Sequence, residues 1–185
     1  MSRDVAYQGA PGAFAEEACI LFLPEWRPVA RPSFEAVIEA VVADEAGRGM
    51  LPLRNSIAGD VPGIEELIRG SGLLLLARHR LPVRLHLLGL PGASLETIRS
   101  VTSHPMALGQ IGKWLEATGV TPIEASNTAV AAAALAESGD LDKGVIASES
   151  AARNYGLSMI QRDIHDTADN ATTFGIVASS EADSG

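Results

Sequence analysis

Small polar side chains gather in two short segments of the 185-residue chain, residues 52–56 (PLRNS) and residues 170–174 (NATTF). Each segment lies beside an apolar run, where a predicted strand meets a loop. Loops at the ends of strands are where α/β sheets bind and react with ligands. The amides and hydroxyls there favour an anionic organic ligand held by N–H and O–H donors, whereas strong bases are scarce.

Two further polar pairs follow predicted strands, Ser103 with His104 and Asn127 with Thr128. Each pair stands at the start of a predicted helix. Helix capping explains Ser103, Asn127 and Thr128 without any ligand, so capping and ligand binding both stay open. The turn at residues 9–12 (GAPG) can hold a carboxylate or a phosphate with its N–H groups, and an ordinary tight turn explains it as well.

The histidines and the single cysteine indicate no metal site. His79, His86 and His165 show no metal-ligand spacing with one another or with Cys19. No G-x-S-x-G nucleophile elbow is present. We therefore expect no metal site. Cys19 lies in an apolar helical pattern, which predicts a buried and inert thiol.

The composition narrows the class of protein. A hydrophobic content of 46% indicates a folded globular chain, and the formal net charge of −9 argues against nucleic-acid binding. No apolar run is long enough to span a bilayer, so no membrane association is expected. The N-terminus runs directly into a predicted strand and does not resemble a signal peptide, which predicts a cytoplasmic protein.

Strand-like and helix-like stretches alternate along the chain, which predicts an α/β fold with mostly parallel sheets covered by helices. We expect two lobes, the first from residues 1–80 plus 168–185 and the second from residues 81–167, with a ligand cleft between them and hinge closure. Local predictions include helices over residues 14–22, 34–43 (with Ser33 as N-cap) and 105–117. Residues 81–88 are predicted to form a half-exposed strand.

The chain resembles the catalytic domain of prephenate dehydratase over nearly its whole length. The resemblance rests on motifs that occur in the family's order, at residues 7–14 (YQGAPGAF), 52–56, 81–88, 101–108 (VTSHPMAL), 128–132, 146–148 (IAS), 155–157 (YGL) and 170–174. It implies a fold like that of periplasmic binding proteins, two α/β lobes with a ligand cleft, assembled as homodimers or homotetramers.

The resemblance also implies an activity, the conversion of prephenate to phenylpyruvate in L-phenylalanine biosynthesis. The partner would be this small dicarboxylate, and the family needs no cofactor or metal. Thr172 corresponds to the family's threonine that donates a hydrogen bond to the leaving hydroxyl. The other residues expected to bind substrate are Arg54, Asn55, Ser56, Ser103, His104, Thr128, Asn170, Thr173 and Phe174.

The chain departs from the family pattern at two charged positions. Arg54 stands where the family has Glu, and Thr173 stands where the family has Arg. Arginine binds a carboxylate with two parallel N–H groups whereas threonine offers one hydroxyl, so the second change is not conservative. One hypothesis is that Arg54 takes over the carboxylate binding that Thr173 cannot provide.

Three functions stay open on these residues. The first is prephenate dehydratase. The second is a related enzyme that acts on arogenate or decarboxylates without aromatising the ring. The third is a non-catalytic module that closes on a carboxylate. The family's C-terminal ACT domain, which binds phenylalanine, has no counterpart in this sequence, and we expect either an enzyme without that feedback or a truncated chain.

Overall fold

The computed structural model describes residues 3–179, which divide into two compact units. The first contains residues 3–10, 14–82 and 169–179, and the second contains residues 11–13 and 83–168. Residues 11–13, predicted for the first lobe, thus belong to the second unit. Residues 180–185, also predicted for the first lobe, lie outside the described residues. No helix within residues 3–179 is both long and apolar enough to cross a membrane.

Eighteen helices and strands follow one another along the described part of the chain. The first eight elements are β1 (Asp4–Gln8), α1 (Phe14–Phe22), β2 (Arg27–Arg31), α2 (Phe34–Val42), β3 (Arg48–Asn55), β4 (Gly59–Asp60), α3 (Ile64–Ser71) and β5 (Leu74–Pro82). The next are β6 (His86–Gly89), β7 (Ser100–Ser103), α4 (Pro105–Leu108), α5 (Gly112–Thr118), β8 (Thr121–Glu124), α6 (Thr128–Ser138), β9 (Lys143–Ala147), α7 (Glu149–Tyr155), β10 (Ser158–Gln161) and β11 (Ala171–Ala178).

The sheet of the first unit has the strand order β2-β1-β3-β11-β5, and β4 pairs with β3. β1 is parallel to β2 and β3, whereas β11 is antiparallel to both β3 and β5. The prediction of a mostly parallel sheet was wrong here, because β11 returns from the end of the chain and inserts between β3 and β5 in the opposite direction. This insertion brings the two polar segments of the sequence next to each other.

Helices α2 and α3 cover one face of this sheet. Val37 and Val41 of α2 and Ile68 of α3 pack with Leu51 and Val177 of the sheet in one buried apolar cluster. The helical prediction for α2 is confirmed. Its N-cap is Ser33, whose Oγ accepts the Ala36 N–H at 3.2 Å. Burial of these side chains, on the order of 2 kcal/mol for each, positions β3 and β11.

The sheet of the second unit has the order β10-β6-β9-β7-β8. β7 is parallel to β8 and β9, and β6 is antiparallel to β9 and β10. This sheet is also mixed, because β6 follows directly from the first unit and runs against its neighbours. The three parallel strands lead into α4, α6 and α7, so the N-termini of these helices lie at one edge of the sheet.

Two local predictions in the second unit were wrong. The helix predicted over residues 105–117 is two helices, because the Asp166 N–H donates to the Gln110 carbonyl at 2.7 Å and the Asp166 carboxylate accepts the Lys113 N–H at the start of α5. The predicted half-exposed strand over residues 81–88 is interrupted after Pro82, and β6 is buried throughout. The polar side chain of His86 made the sequence pattern resemble that of a half-exposed strand. Its ring is in fact buried, and Nδ1 accepts the Asp163 N–H at 2.9 Å.

The stability of the protein should depend on pH through this buried histidine. Burial lowers the pKa of His86 below its ordinary value of 6.5, although the Asp163 carboxylate opposes the shift. The unfolded chain therefore takes up this proton first. The His86 contribution to the free energy of unfolding is fully present above about pH 6.5 and falls as the pH drops from there through the lower pKa of the folded state.

Urea unfolding at about pH 7.5 and about pH 5.5 tests this expectation. The wild-type protein should lose stability between the two conditions, and His86→Gln should lose less, because glutamine cannot titrate. Equal losses in the two proteins would show that other groups control this range.

Candidate functional site

The pairing of β3 with β11 places the two polar segments side by side at one end of the first sheet. Thr172 lies opposite Asn55, and Thr173 lies opposite Arg54. The register shifts at the next position, where Phe174 lies opposite Pro52, so Leu53 is the extra residue of a β-bulge. Because successive residues of a strand alternate between faces, Thr172 and Asn55 share one face, and Thr173 and Arg54 share the other.

Asn55 uses every hydrogen-bonding group of its amide. Its Oδ1 accepts the N–H groups of Ile57 and Ala58, at 2.9 and 3.0 Å, and shapes the turn between β3 and β4. Its Nδ2 donates to Asn170 Oδ1 and to Thr172 Oγ1, both at 3.1 Å. The two backbone donors fix the orientation of the amide, since a flipped amide would direct N–H groups at N–H groups.

This orientation determines what the Thr172 hydroxyl can do. Asn55 donates to Thr172 Oγ1, so that contact uses a lone pair of the oxygen and leaves the hydroxyl proton for another acceptor. Thr172 is only half-buried, so an acceptor from a ligand can reach it. The arrangement suits a pre-oriented hydrogen-bond donor and not a base.

Ser56 and Asn170 hold the two segments together. The Ser56 hydroxyl donates to the Asp169 carbonyl at 2.6 Å and accepts the Ala171 N–H at 2.9 Å. The Asn170 side chain is 2% exposed and bonds to Asn55. The prediction that both residues contact substrate directly needs correction for Asn170, whose side chain is enclosed and positions Asn55.

Arg54 and Thr173 line a different space from Thr172. The Arg54 guanidinium pairs with Asp60 Oδ1 at 3.0 Å, and both side chains are exposed. Arg54 and Thr173 border a cavity of about 320 Å³ together with Asp60, and Thr172 does not border it. Arg54 therefore does lie beside Thr173, as the relocated-clamp hypothesis requires, but this pair faces away from the Asn55–Thr172 contact. The hypothesis of a clamp at the same site as Thr172 is corrected accordingly.

Phe174 was predicted to bind substrate, and the structure corrects this. Its side chain is 3% exposed and lies opposite His79, whose ring stacks on Phe22 of α1 with centroids 4.5 Å apart. Phe174 is thus part of the core beneath the polar segment. The motif places an aromatic residue two positions after Thr172. The sequence alone does not show whether that ring is buried in the core or contacts a ligand.

Three predicted site residues lie in the second unit. Ser103 is fully buried and donates to the Ile146 carbonyl at 2.7 Å, so the prediction that Ser103 binds substrate was wrong. His104 caps α4, and its Nδ1 accepts the Met106 N–H at 3.2 Å, which leaves Nε2 to carry the proton of the neutral ring. Asn127 caps α6 by accepting the N–H groups of Ala129 and Val130, so Thr128 does not serve as the cap.

Ser148 belongs to the motif at residues 146–148, to which the sequence assigned no role, and it lies at the same edge of this sheet. Its buried hydroxyl donates to the Gly12 carbonyl at 2.8 Å and accepts the Ala151 N–H at the start of α7. Gly12 has a φ of +90°, and a Cβ there would lie 2.8 Å from the Ala151 Cα, so only glycine fits. A serine between a strand and a helix was a sequence signal for this cap. In residues 3–179 no group of three His, Cys, Asp or Glu side chains is arranged to hold a metal ion.

A family model described as prephenate dehydratase matches residues 5–182. The chloroplastic arogenate dehydratase/prephenate dehydratase 1 of Arabidopsis thaliana is 37% identical over 174 residues, which are 94% of this chain and 44% of that protein. The bifunctional N-acyl-homoserine lactone acylase/prephenate dehydratase of Komagataeibacter europaeus is 35% identical over 176 residues, which are 95% of this chain and 63% of that protein. The chain thus spans between 44% and 63% of the length of these relatives.

A solved structure supports the fold. The prephenate dehydratase of Arthrobacter aurescens, in complex with L-Phe, has a TM-score of 0.84 to this chain at 24% identity, and the match covers 95% of this chain and 60% of that one. The likeness extends over both sheets of the mixed α/β fold. The Thr172–Asn55 contact rests on the geometry of this chain alone.

Proposed function

This chain belongs to the prephenate dehydratase family, and we propose that it catalyses the decarboxylating dehydration of prephenate to phenylpyruvate, in L-phenylalanine biosynthesis. The membership confirms the resemblance that the motifs predict. The proposal assigns this chain a dehydratase activity of the carbon–oxygen lyase type, working in a homodimer or a homotetramer.

The reaction requires a hydrogen-bond donor beside the oxygen of the departing hydroxyl group. As the bond from the ring to its carboxylate breaks, carbon dioxide leaves and the electron pair enters the ring. The ring then expels its hydroxyl group, which takes up a proton and departs as water while the ring becomes aromatic. Hydroxide is a poor leaving group, so a hydrogen bond to the departing oxygen lowers the barrier.

The observation that supports this proposal is the hydrogen bond from Asn55 Nδ2 to Thr172 Oγ1. It leaves the Thr172 proton for the departing oxygen. A threonine hydroxyl is too weak an acid to transfer its proton outright near neutral pH, so its role is that of an oriented hydrogen-bond donor. His104, with its proton on Nε2, and Thr128 are further proposed contacts for the substrate carboxylates.

The direct test is the conversion of prephenate by the purified protein. We expect phenylpyruvate and carbon dioxide in equal amounts, without added metal or cofactor. Circular dichroism on the same sample establishes that the protein is folded. Folded protein that yields no phenylpyruvate would overturn the proposal, and a decarboxylated product whose ring is not aromatic would replace it with the non-aromatising reaction.

A second candidate substrate is arogenate, which carries an amino group where prephenate has a ketone. The relative from Arabidopsis thaliana is named for both activities, and its similarity to this chain favours testing both. Measuring kcat/KM for the two substrates side by side decides between them. A higher value for prephenate supports the assignment made here, and a higher value for arogenate assigns the chain to arogenate dehydration.

A further inference from the structure

We propose that a groove on the α3 side of the first sheet binds a free α-amino acid with a bulky apolar side chain. The groove consists of two adjoining cavities of about 320 and 220 Å³, which share Leu53, Glu65 and Arg78 as lining residues. Thr172 and Asn55 do not line either cavity. This binding site is therefore separate from the proposed donor, and the inference does not rest on the dehydratase activity.

The charges of the groove match a zwitterion. Arg78 lies opposite Gly175 on β11, two residues from Thr173, so the Arg78 and Thr173 side chains project from the same face. Within residues 3–179, Arg54 is paired with Asp60, whereas Arg78 and Glu65 form no ion pair, with each other or with another residue. A guanidinium and a carboxylate thus border one cavity with space between them. An amino acid supplies a carboxylate for Arg78 and an ammonium group for Glu65.

The second cavity combines charged and apolar lining residues. Besides Glu65 and Arg78 it is lined by Arg69 and by the apolar side chains of Leu53, Ile68, Leu73 and Leu75. Gly175 lies beneath two of these side chains, because a Cβ at this position would be 2.7 Å from Leu75 Cδ1 and 3.0 Å from Leu53 Cδ1. The absence of a side chain at Gly175 lets the two leucines approach the sheet and form a floor. The side chain of a bound amino acid would rest on this floor, with its charged end toward Arg78.

The two departures from the family motifs, Arg54 and Thr173, explain why the groove is open. The family's Glu and Arg, placed at positions 54 and 173, would stand directly opposite each other on the two strands. An ion pair of two long side chains there would occupy the charged cavity. In this chain Thr173 is short and Arg54 turns to Asp60, so the space between Glu65 and Arg78 stays open.

Isothermal titration calorimetry with L-leucine tests the ligand class. We expect one binding site per chain. Three analogues each remove one feature of L-leucine: 4-methylpentanoate lacks the ammonium group, 3-methylbutylamine lacks the carboxylate, and L-alanine lacks the bulky side chain. Each should bind at least about tenfold more weakly. No heat from L-leucine at about 10 mM, or equal affinity for all four compounds, would overturn the proposal.

Substitutions locate the site. Arg78→Met and Glu65→Gln should each weaken L-leucine binding by about tenfold or more. The matched controls are Glu66→Gln, also exposed in the first turn of α3, and Arg99→Met, an exposed arginine of the second unit, and both should bind as the wild type does. The double variant Arg54→Glu with Thr173→Arg should lose binding. If Arg78→Met and Glu65→Gln bind normally while Thr172→Val does not, the ligand occupies the Thr172 site and the groove proposal fails. Because calorimetry needs no turnover, its outcome is independent of the prephenate assay.

Discussion

Thr172→Val should lower kcat for prephenate dehydration by about 10²- to 10³-fold, the range found for removal of one oriented hydrogen-bond donor. Valine has nearly the shape of threonine, so β11 keeps its pairing with β3 and the loss concerns the hydroxyl alone. The physical reason is that Asn55 directs the Thr172 proton outward, toward the departing oxygen. Initial rates of phenylpyruvate formation measure kcat, and urea unfolding should show a nearly unchanged free energy of unfolding.

Two companion variants make the Thr172 prediction specific. Thr172→Ser keeps a hydroxyl and should retain much more activity than the valine variant. Thr173→Val removes the neighbouring hydroxyl on the opposite face of the sheet, where it does not contact Asn55, and should cost far less than Thr172→Val. If Thr173→Val lowered kcat as much as Thr172→Val does, the donor would lie on the Thr173 face of the sheet. That result would refute the assignment of Thr172 as the donor.

Asn55→Asp should lower kcat on the order of 100-fold while leaving the fold intact, the second large effect that the site predicts. The carboxylate still accepts the Ile57 and Ala58 N–H groups, so the turn after β3 survives, although the hydrogen bond to Asn170 Oδ1 is lost. It has no N–H to donate to Thr172. Instead, a carboxylate oxygen accepts a hydrogen bond from the Thr172 hydroxyl, whose proton then points away from the substrate.

Comparing kcat with KM for Asn55→Asp separates the effect of the lost Thr172 orientation from the effect of the added negative charge. An added carboxylate repels a dicarboxylate substrate and raises KM, whereas the lost orientation of Thr172 lowers kcat. Asn55→Ala should lower both kcat and stability, because it also removes the acceptor for two backbone N–H groups. A change in KM alone for Asn55→Asp would mean that Asn55 does not orient the donor.

The parts of the fold that depend on nearby residues were predictable from the sequence. The helices over residues 14–22 and 34–43 follow from local apolar periodicity, and the Ser33 cap follows from its position before the second of them. The failures arise where partners are distant in sequence. The predicted helix over residues 105–117 is broken by Asp166, and no pattern around residue 110 contains that information.

The residue types of the site were predictable from the sequence, whereas their positions relative to one another were not. The motifs identify Asn55, Thr172 and Thr173, yet the face that each occupies depends on the register between β3 and β11 and on a bulge at Leu53. A shift of one residue exchanges the two faces of a strand. For this reason the sequence suggested that Arg54 and Thr173 flank the donor, whereas the structure places them on the other side of the sheet.

A double-mutant cycle on kcat tests whether Asn55 acts through the Thr172 hydroxyl. The proteins are the wild type, Asn55→Asp, Thr172→Val and the double variant, all assayed with prephenate. If Asn55 only orients that hydroxyl, its replacement costs nothing further once the hydroxyl is gone, and the double variant should have the kcat of Thr172→Val. Losses that multiply in the double variant would show that the two residues act independently and would contradict the orienting role of Asn55.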